Sequence, residues 1–154
     1  MRRKLFFFSI HVLLPLFLGG VVYILWRDPN LLMFRWFGAA GLGPAIDWLR
    51  VGTASAQTAL PHWFIYSLPD GLWVYALTAL MMFVWHGVRS LPLKIFWLSL
   101  GLLIGAGSEL AQLAGILPGA FDPIDLVVCL IAPAAALLLT PRGLILRRSF
   151  NEAS

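Results

Sequence analysis

Four apolar runs set the terms for this chain, because each is close to the length that carries an α-helix through a lipid bilayer, roughly 20 residues. The first, residues 5–26, lies between the Arg2-Arg3-Lys4 cluster and Arg27 and contains no Asp, Glu, Lys or Arg. The others cover residues 68–85, 94–113 and 123–140. The first run is longer than the apolar part of a signal peptide, and no A-x-A-like site follows it closely. It is therefore expected to remain as a span, bent at Pro15. The last is short but uninterrupted by charge after Asp125, with Pro133 as a possible kink. The expected fold is all-α: a single polytopic membrane domain over residues 1–154 with four transmembrane helices. Short interfacial helices are expected in the long first external loop.

Composition agrees. Hydrophobic residues make up 60% of the 154 and charged residues 12%, against about 25% charged in soluble domains. Mean hydropathy is +0.87. Such a chain has too little polar surface to cover itself in water, so lipid is its natural solvent. The net charge of +4 does not indicate nucleic acid, since the basic residues flank apolar runs and there are no aromatic-basic repeats or zinc spacings. Cys129 is the single cysteine, which excludes an internal disulfide. No cofactor is called for.

Basic residues near span ends mark the cytoplasmic side. On a four-span layout one side receives Arg2, Arg3, Lys4, Arg89, Lys94, Arg142, Arg147 and Arg148, and the other receives Arg27, Arg35 and Arg50. Both termini are then cytoplasmic, with residues 141–154 as a basic cytoplasmic tail. Asp28, Asp47, Asp70, Asp122 and Asp125 all lie toward the outside. The connection over residues 29–66 is apolar with isolated charges and Trp36, Trp48 and Trp63. It is expected to form one or two interfacial helices, separated by Gly38, Gly41, Gly43 and Pro44.

Glu109 carries the most information about chemistry. It falls inside the third apolar run, roughly 7 Å from the midplane by helical rise. A carboxylate there costs at least ~2.5 kcal/mol unless it is paired, protonated or hydrated. Gly101, Gly105 and Glu109 recur every four residues and share a face. The glycines form a small-xxx-small contact, so Glu109 is expected to point into protein beside a close helix crossing. Gln112 lies on a neighbouring part of that face. A protonated glutamate bonding two helices together is the plainer alternative.

The remaining acids also have plain explanations. Asp122 suits an N-cap, Pro123 the first helical position, and Asp125 falls at N3. Ser67 could cap the second span with Asp70 in the capping-box position. His62 precedes Asp70 by eight residues and could reach the same region, although an interfacial histidine is usually structural. His11 and His86 have no evident chemistry. Glu109, Gln112, Asp122, Asp125 and Asp70 nevertheless all fall in the outer half of the membrane, which makes them, with His62, the candidate binding residues. No P-loop, HExxH pair or nucleophile elbow is present.

The stretch Ser108-Glu109-x-x-Gln112, a glycine-bearing turn, and Phe121-Asp122-x-x-Asp125-Leu126 resembles the VanZ-like family of small polytopic bacterial membrane proteins. That family's pattern is E-x-x-Q, a glycine turn, then D-x-x-x-N-x-x-G. Glu109, Gln112 and Asp125 match it position by position. The family asparagine falls on Cys129 and the glycine on Ala132, and the arginine often found in the turn is replaced by Pro118-Gly119-Ala120. The resemblance implies a bacterial cytoplasmic membrane protein of the cell envelope, related to glycopeptide resistance.

Two functions follow as expectations. The first is non-enzymatic: an acidic outer-leaflet pocket that binds a lipid, glycolipid or lipophilic antibiotic, or docks a membrane-protein partner. The second is a membrane-embedded enzyme with Glu109 as base or metal ligand, assisted by Asp125, or by Asp122 and Asp125 around a metal. The first is preferred, because every acid except Glu109 has a simple structural role. A transporter is weaker, since four spans show no internal repeat.

Overall fold

The computed structural model describes residues 2–85, 88 and 90–140, with the side chain of Arg3 not described. His86, Arg89 and the expected tail with Arg142, Arg147 and Arg148 lie outside the described residues.

The described chain is helical, without strands. In order it forms α1 (Arg2–Phe8), a π-helical turn (Ser9–Leu13), α2 (Leu14–Trp26), α3 (Leu32–Ala39), α4 (Gly43–Gln57), α5 (His62–Val84), α6 (Leu91–Leu113) and α7 (Pro123–Leu139). Three stretches are long and apolar enough to cross a membrane: Lys4–Trp26, which runs through the π turn, His62–Val84 and Leu91–Leu113, each of 23 residues. At 1.5 Å per residue each reaches about 34 Å, against a hydrocarbon core of about 30 Å. By length and composition this is a membrane protein. The fourth apolar helix, α7, has 17 residues, or about 25 Å.

A wider turn stands just before Pro15, where the sequence places a bend. The Leu14 N–H donates to the Ser9 carbonyl, five residues back. Proline has no N–H for the His11 carbonyl and its ring crowds that group; an extra residue in the turn gives it room. His11 sits in this π turn, sharing a 2.6 Å hydrogen bond with Tyr75 Oη and stacking on Phe7.

The second span begins earlier than the sequence implied. Pro61 is extended, at φ −68° and ψ 150°, and the apolar His62–Tyr66 stretch continues the helix N-terminally. Ser67 and Asp70 are therefore interior residues of α5, and the capping-box expectation for them is overturned. The third span likewise starts at Leu91, behind an extended Ser90 and with Pro92 in the first turn. The helix still ends at Leu113, so Glu109 keeps its distance from that end but lies farther from the helix centre than expected.

α5 is the hub, packing on α2, α6 and α7. Small side chains allow this: Ala76, Thr78 and Ala79 are buried on α5, and Gly19 of α2 leaves space for the Trp73 indole. On α6, Gly101 faces Val74 and Thr78, and Gly105 faces Val74 and Cys129. Val74, Cys129 and Ala132 form the buried centre. The outer surface is apolar, with Phe17, Leu103, Ile104, Ile131 and Leu138 exposed, as expected of a surface that lipid covers.

The long connection folds into α3 and α4, which meet at a turn where Gly41 takes a positive φ of 75°. Arg50 of α4 donates to the Ile24 and Arg27 carbonyls at 2.7 and 2.8 Å. A guanidinium thus caps the carbonyl end of α2, where the helix dipole favours positive charge. The Trp26 indole N–H donates to the Thr53 carbonyl at 3.2 Å. The connection is thereby docked on the helix that precedes it.

Candidate functional site

The site follows from the directions of α5, α6 and α7. Gly71 packs against Val128, and one turn on, Val74 packs with Cys129 and Ala132, so α5 and α7 run in the same direction. One turn back from Gly71, Ser67 comes level with the start of α7, where Asp125 sits. α6 runs the opposite way: Gly101 lies against Val74 and Thr78, then Gly105 against Val74 and Cys129. Its next turn brings Glu109 to the start of α7. There Glu109 Oε2 accepts a 3.3 Å hydrogen bond from the Asp122 backbone N–H. The glycine-to-glutamate face expected from the sequence is therefore present, with Glu109 only 7% exposed.

Asp122 is the N-cap of α7, as expected: its Oδ1 accepts from the Ile124 N–H at 2.8 Å, and Pro123 follows in the first turn. Asp125 does not share this capping work. Its Oδ1 is shut from solvent with no hydrogen-bond partner among the described residues. Gln112 lies against the turn between α6 and α7, where Gly119 has φ 136° and a Cβ would come within 2.8 Å of Gln112 Nε2. Glycine alone suits both the conformation and the close approach. Gln112 Oε1 is likewise buried and unpartnered.

Asp70 completes the layer from α5. It lies within electrostatic reach of Arg27, Asp125 and Glu109. Cys129 is in reach of the acids Asp70, Glu109 and Asp125. Ser67 shares the Asp70 side of α5 one turn earlier; it is 0% exposed and its Oγ has no partner. The structure thus brings Asp70, Glu109, Gln112 and Asp125 to one end of the bundle, with Asp122 bordering them as a cap. It does not bring in His62, which is exposed and stacks on Tyr66 at 4.1 Å.

Two participants were not expected from the sequence. Arg27, counted there only as a topology charge, stands 5.1 Å over each of the Tyr23 and Tyr66 rings and 3.7 Å from Asp70. The available signal was that Arg27 and Asp70 fall at the same end of neighbouring spans. Ser67 was assigned to a helix end that the structure places elsewhere.

No group of three or more His, Cys, Asp or Glu among the described residues is arranged to hold a metal ion. Glu109, Asp122 and Asp125 therefore give the metal-dependent reading no ligand set. The arrangement is suited instead to hydrogen bonding: carboxylates and a carboxamide, mostly enclosed, beside one guanidinium. Compared with known protein families, curated proteins and solved structures, the chain has no match.

Proposed function

We propose that this chain is a VanZ-like, non-enzymatic membrane protein of the bacterial cell envelope. Its acidic layer forms an outer-leaflet site for a lipid, glycolipid or lipophilic antibiotic, or for a membrane-protein partner. The observation that carries this reading is the convergence of Asp70, Glu109, Gln112 and Asp125 from three helices, with buried acceptor atoms on Gln112 and Asp125 left without partners. Polar groups enclosed in this way cost stability unless something binds them, and in a membrane they mark functional positions.

The reading carries four spans. α7 is shorter than the others, but it runs beside α5 in the same direction, so a membrane that α5 crosses encloses α7 as well. Both termini lie in the cytoplasm, with Arg2, Arg3 and Lys4 at that face, and the acidic layer lies at the outer face. Helices α3 and α4 lie along the outer interface, where Trp36 and Trp48, both exposed, suit the headgroup level. They form the rim of the site.

Lipid retention tests this. The full chain and its Glu109→Gln variant, which keeps shape and can still accept from the Asp122 N–H, are purified in mild detergent and examined by native mass spectrometry. The wild type is expected to retain a lipid or glycolipid that the variant loses while keeping a cooperative melting transition. Identical retention by both proteins would sink the proposal.

A further inference from the structure

The polar layer carries three carboxyl groups against one guanidinium, whose Nε is itself buried without a partner. Asp70, Glu109 and Asp125 bring carboxylates, and Gln112, one turn beyond Glu109 on α6, adds a buried carbonyl oxygen without a partner. The one ion pair among the described residues is Arg27–Asp70, at 3.7 Å. Arg27 is held to one side by the Tyr23 and Tyr66 rings, so it does not supply donors to Asp125 or Gln112. The independent sign of a ligand is Ser67. It is completely buried on the face of α5 that turns toward the start of α7, and its hydroxyl is orphaned. The unmet carboxylate and amide oxygens only accept, the hydroxyl can accept as well as donate, and the three carboxyl groups outnumber the single guanidinium, so the layer suits a group that donates several hydrogen bonds and carries positive charge.

We propose that the layer formed by Ser67, Asp70, Glu109, Gln112 and Asp125 receives the ammonium group of a primary amine. This rests on the reading of this end of the bundle as a ligand site and names the chemistry it takes. A metal ion fits less well, since no ligand set is assembled among the described residues. A quaternary ammonium fits less well for two reasons. It has no N–H to offer the orphaned oxygens, and the aromatic pair that would attract it is already filled by Arg27. The amine can come from the ethanolamine headgroup of a membrane lipid or from a free amine reaching the outer face. Both present the same ammonium.

The test compares headgroups. The full chain is reconstituted in vesicles of phosphatidylcholine alone and of equal parts phosphatidylcholine and phosphatidylethanolamine, and its melting midpoint is followed by tryptophan fluorescence. In parallel, free ethanolamine or choline is added to the protein in detergent. Phosphatidylethanolamine is expected to raise the midpoint by roughly 5 °C, the scale of a saturating ligand. Asp125→Asn should abolish that increment, and Ser67→Ala should reduce it. If Asp125→Asn does not fold, Ser67→Ala alone carries the comparison. Stabilisation by ethanolamine but not choline assigns a free amine; stabilisation by phosphatidylethanolamine without an ethanolamine effect assigns the lipid. The proposal is overturned if choline compounds stabilise equally, if no amine has an effect, or if the increment survives undiminished in both variants, which would make it a property of the bilayer. A retained lipid without an amine would end this inference and leave the proposed function standing. An ethanolamine effect with no retained lipid would do the reverse.

Discussion

At the level of Val74, α5, α6 and α7 meet through Gly101, Gly105, Cys129 and Ala132. One to two helical turns away, the same three helices bring together Ser67, Asp70, Glu109, Gln112 and Asp125. The first layer is close-packed, and its hydroxyl, on Thr78, is satisfied by the Val74 carbonyl at 2.9 Å. The second is also enclosed, yet three of its oxygens have no partner. Loose helix packing does not explain the difference, because the glycines that bring the helices together in one layer also fix their separation in the next. The dry layer sets the geometry, and the polar layer gives up stability within it. Such a division is expected where a site is held by a rigid scaffold.

The largest effect that could break this comparison lies in the dry layer. A Cβ at Gly105 would come within 2.8 Å of Val74 Cγ2 and 3.0 Å of Cys129 Sγ, whereas one at Gly107 meets nothing within 4 Å. Gly105→Leu is expected to cost about 3 kcal/mol through overpacking and to remove ligand binding with it. Gly107→Leu should be neutral or slightly stabilising, since leucine is the better helix former. Thermal melting of both variants in one detergent makes the comparison. Equal effects would mean that the crossing at Gly105 does not fix the bundle.

Arg27 offers the next test, at the edge of the polar layer. Arg27→Met keeps an apolar stem between the tyrosines but removes the cation–π contacts and the partner of Asp70. With both side chains partly solvated, at 20% and 32% exposure, the expected loss is about 1–2 kcal/mol. The same change made on an Asp70→Asn background should cost less. An equal cost in both backgrounds would make Arg27 a packing residue with no electrostatic tie to the layer.

Ser67 is expected to change stability in the opposite direction. Ser67→Ala removes a hydroxyl that is buried and unpartnered, so in detergent without ligand it should stabilise by about 1 kcal/mol. The same alteration at a satisfied hydroxyl such as Thr78 should not stabilise, and Thr78→Val is the matched control. A loss of stability in Ser67→Ala would show that the hydroxyl has a partner, and would remove the contrast between the layers.

How much of this could be foreseen depends on which interactions are local. The helix at Lys4–Trp26, the face shared by Gly101, Gly105 and Glu109, and the Asp122 cap are all written in spacings of a few residues, and helical periodicity reports them directly. The start of α5 was missed because the apparent capping box Ser67-x-x-Asp70 is a local pattern that tertiary packing overrides. Six further residues bury Ile65 against the bundle and take the helix back to Pro61. Arg27 was missed for a different reason. Two of its three partners, Tyr66 and Asp70, lie on another helix, and no periodicity within one run reports a neighbour across two helices. Arg50 capping α2 belongs to the same class, with acceptors at Ile24 and Arg27.

The smallest expected effect concerns the border between the two kinds of acid. Asp122 belongs to the candidate residues by sequence, but its carboxylate turns back to the Ile124 N–H and only its backbone N–H reaches Glu109. Asparagine caps about as well as aspartate, while alanine costs about 1 kcal/mol. Asp122→Asn should therefore leave both melting temperature and lipid retention near the wild-type values, and Asp122→Ala should lower the first. Asp125→Asn should do the opposite, retaining the fold and losing the ligand, because its buried oxygen serves no cap. If Asp122→Asn instead releases the ligand, the negative charge at the cap is part of the recognition, and the polar layer extends one residue beyond the helix start.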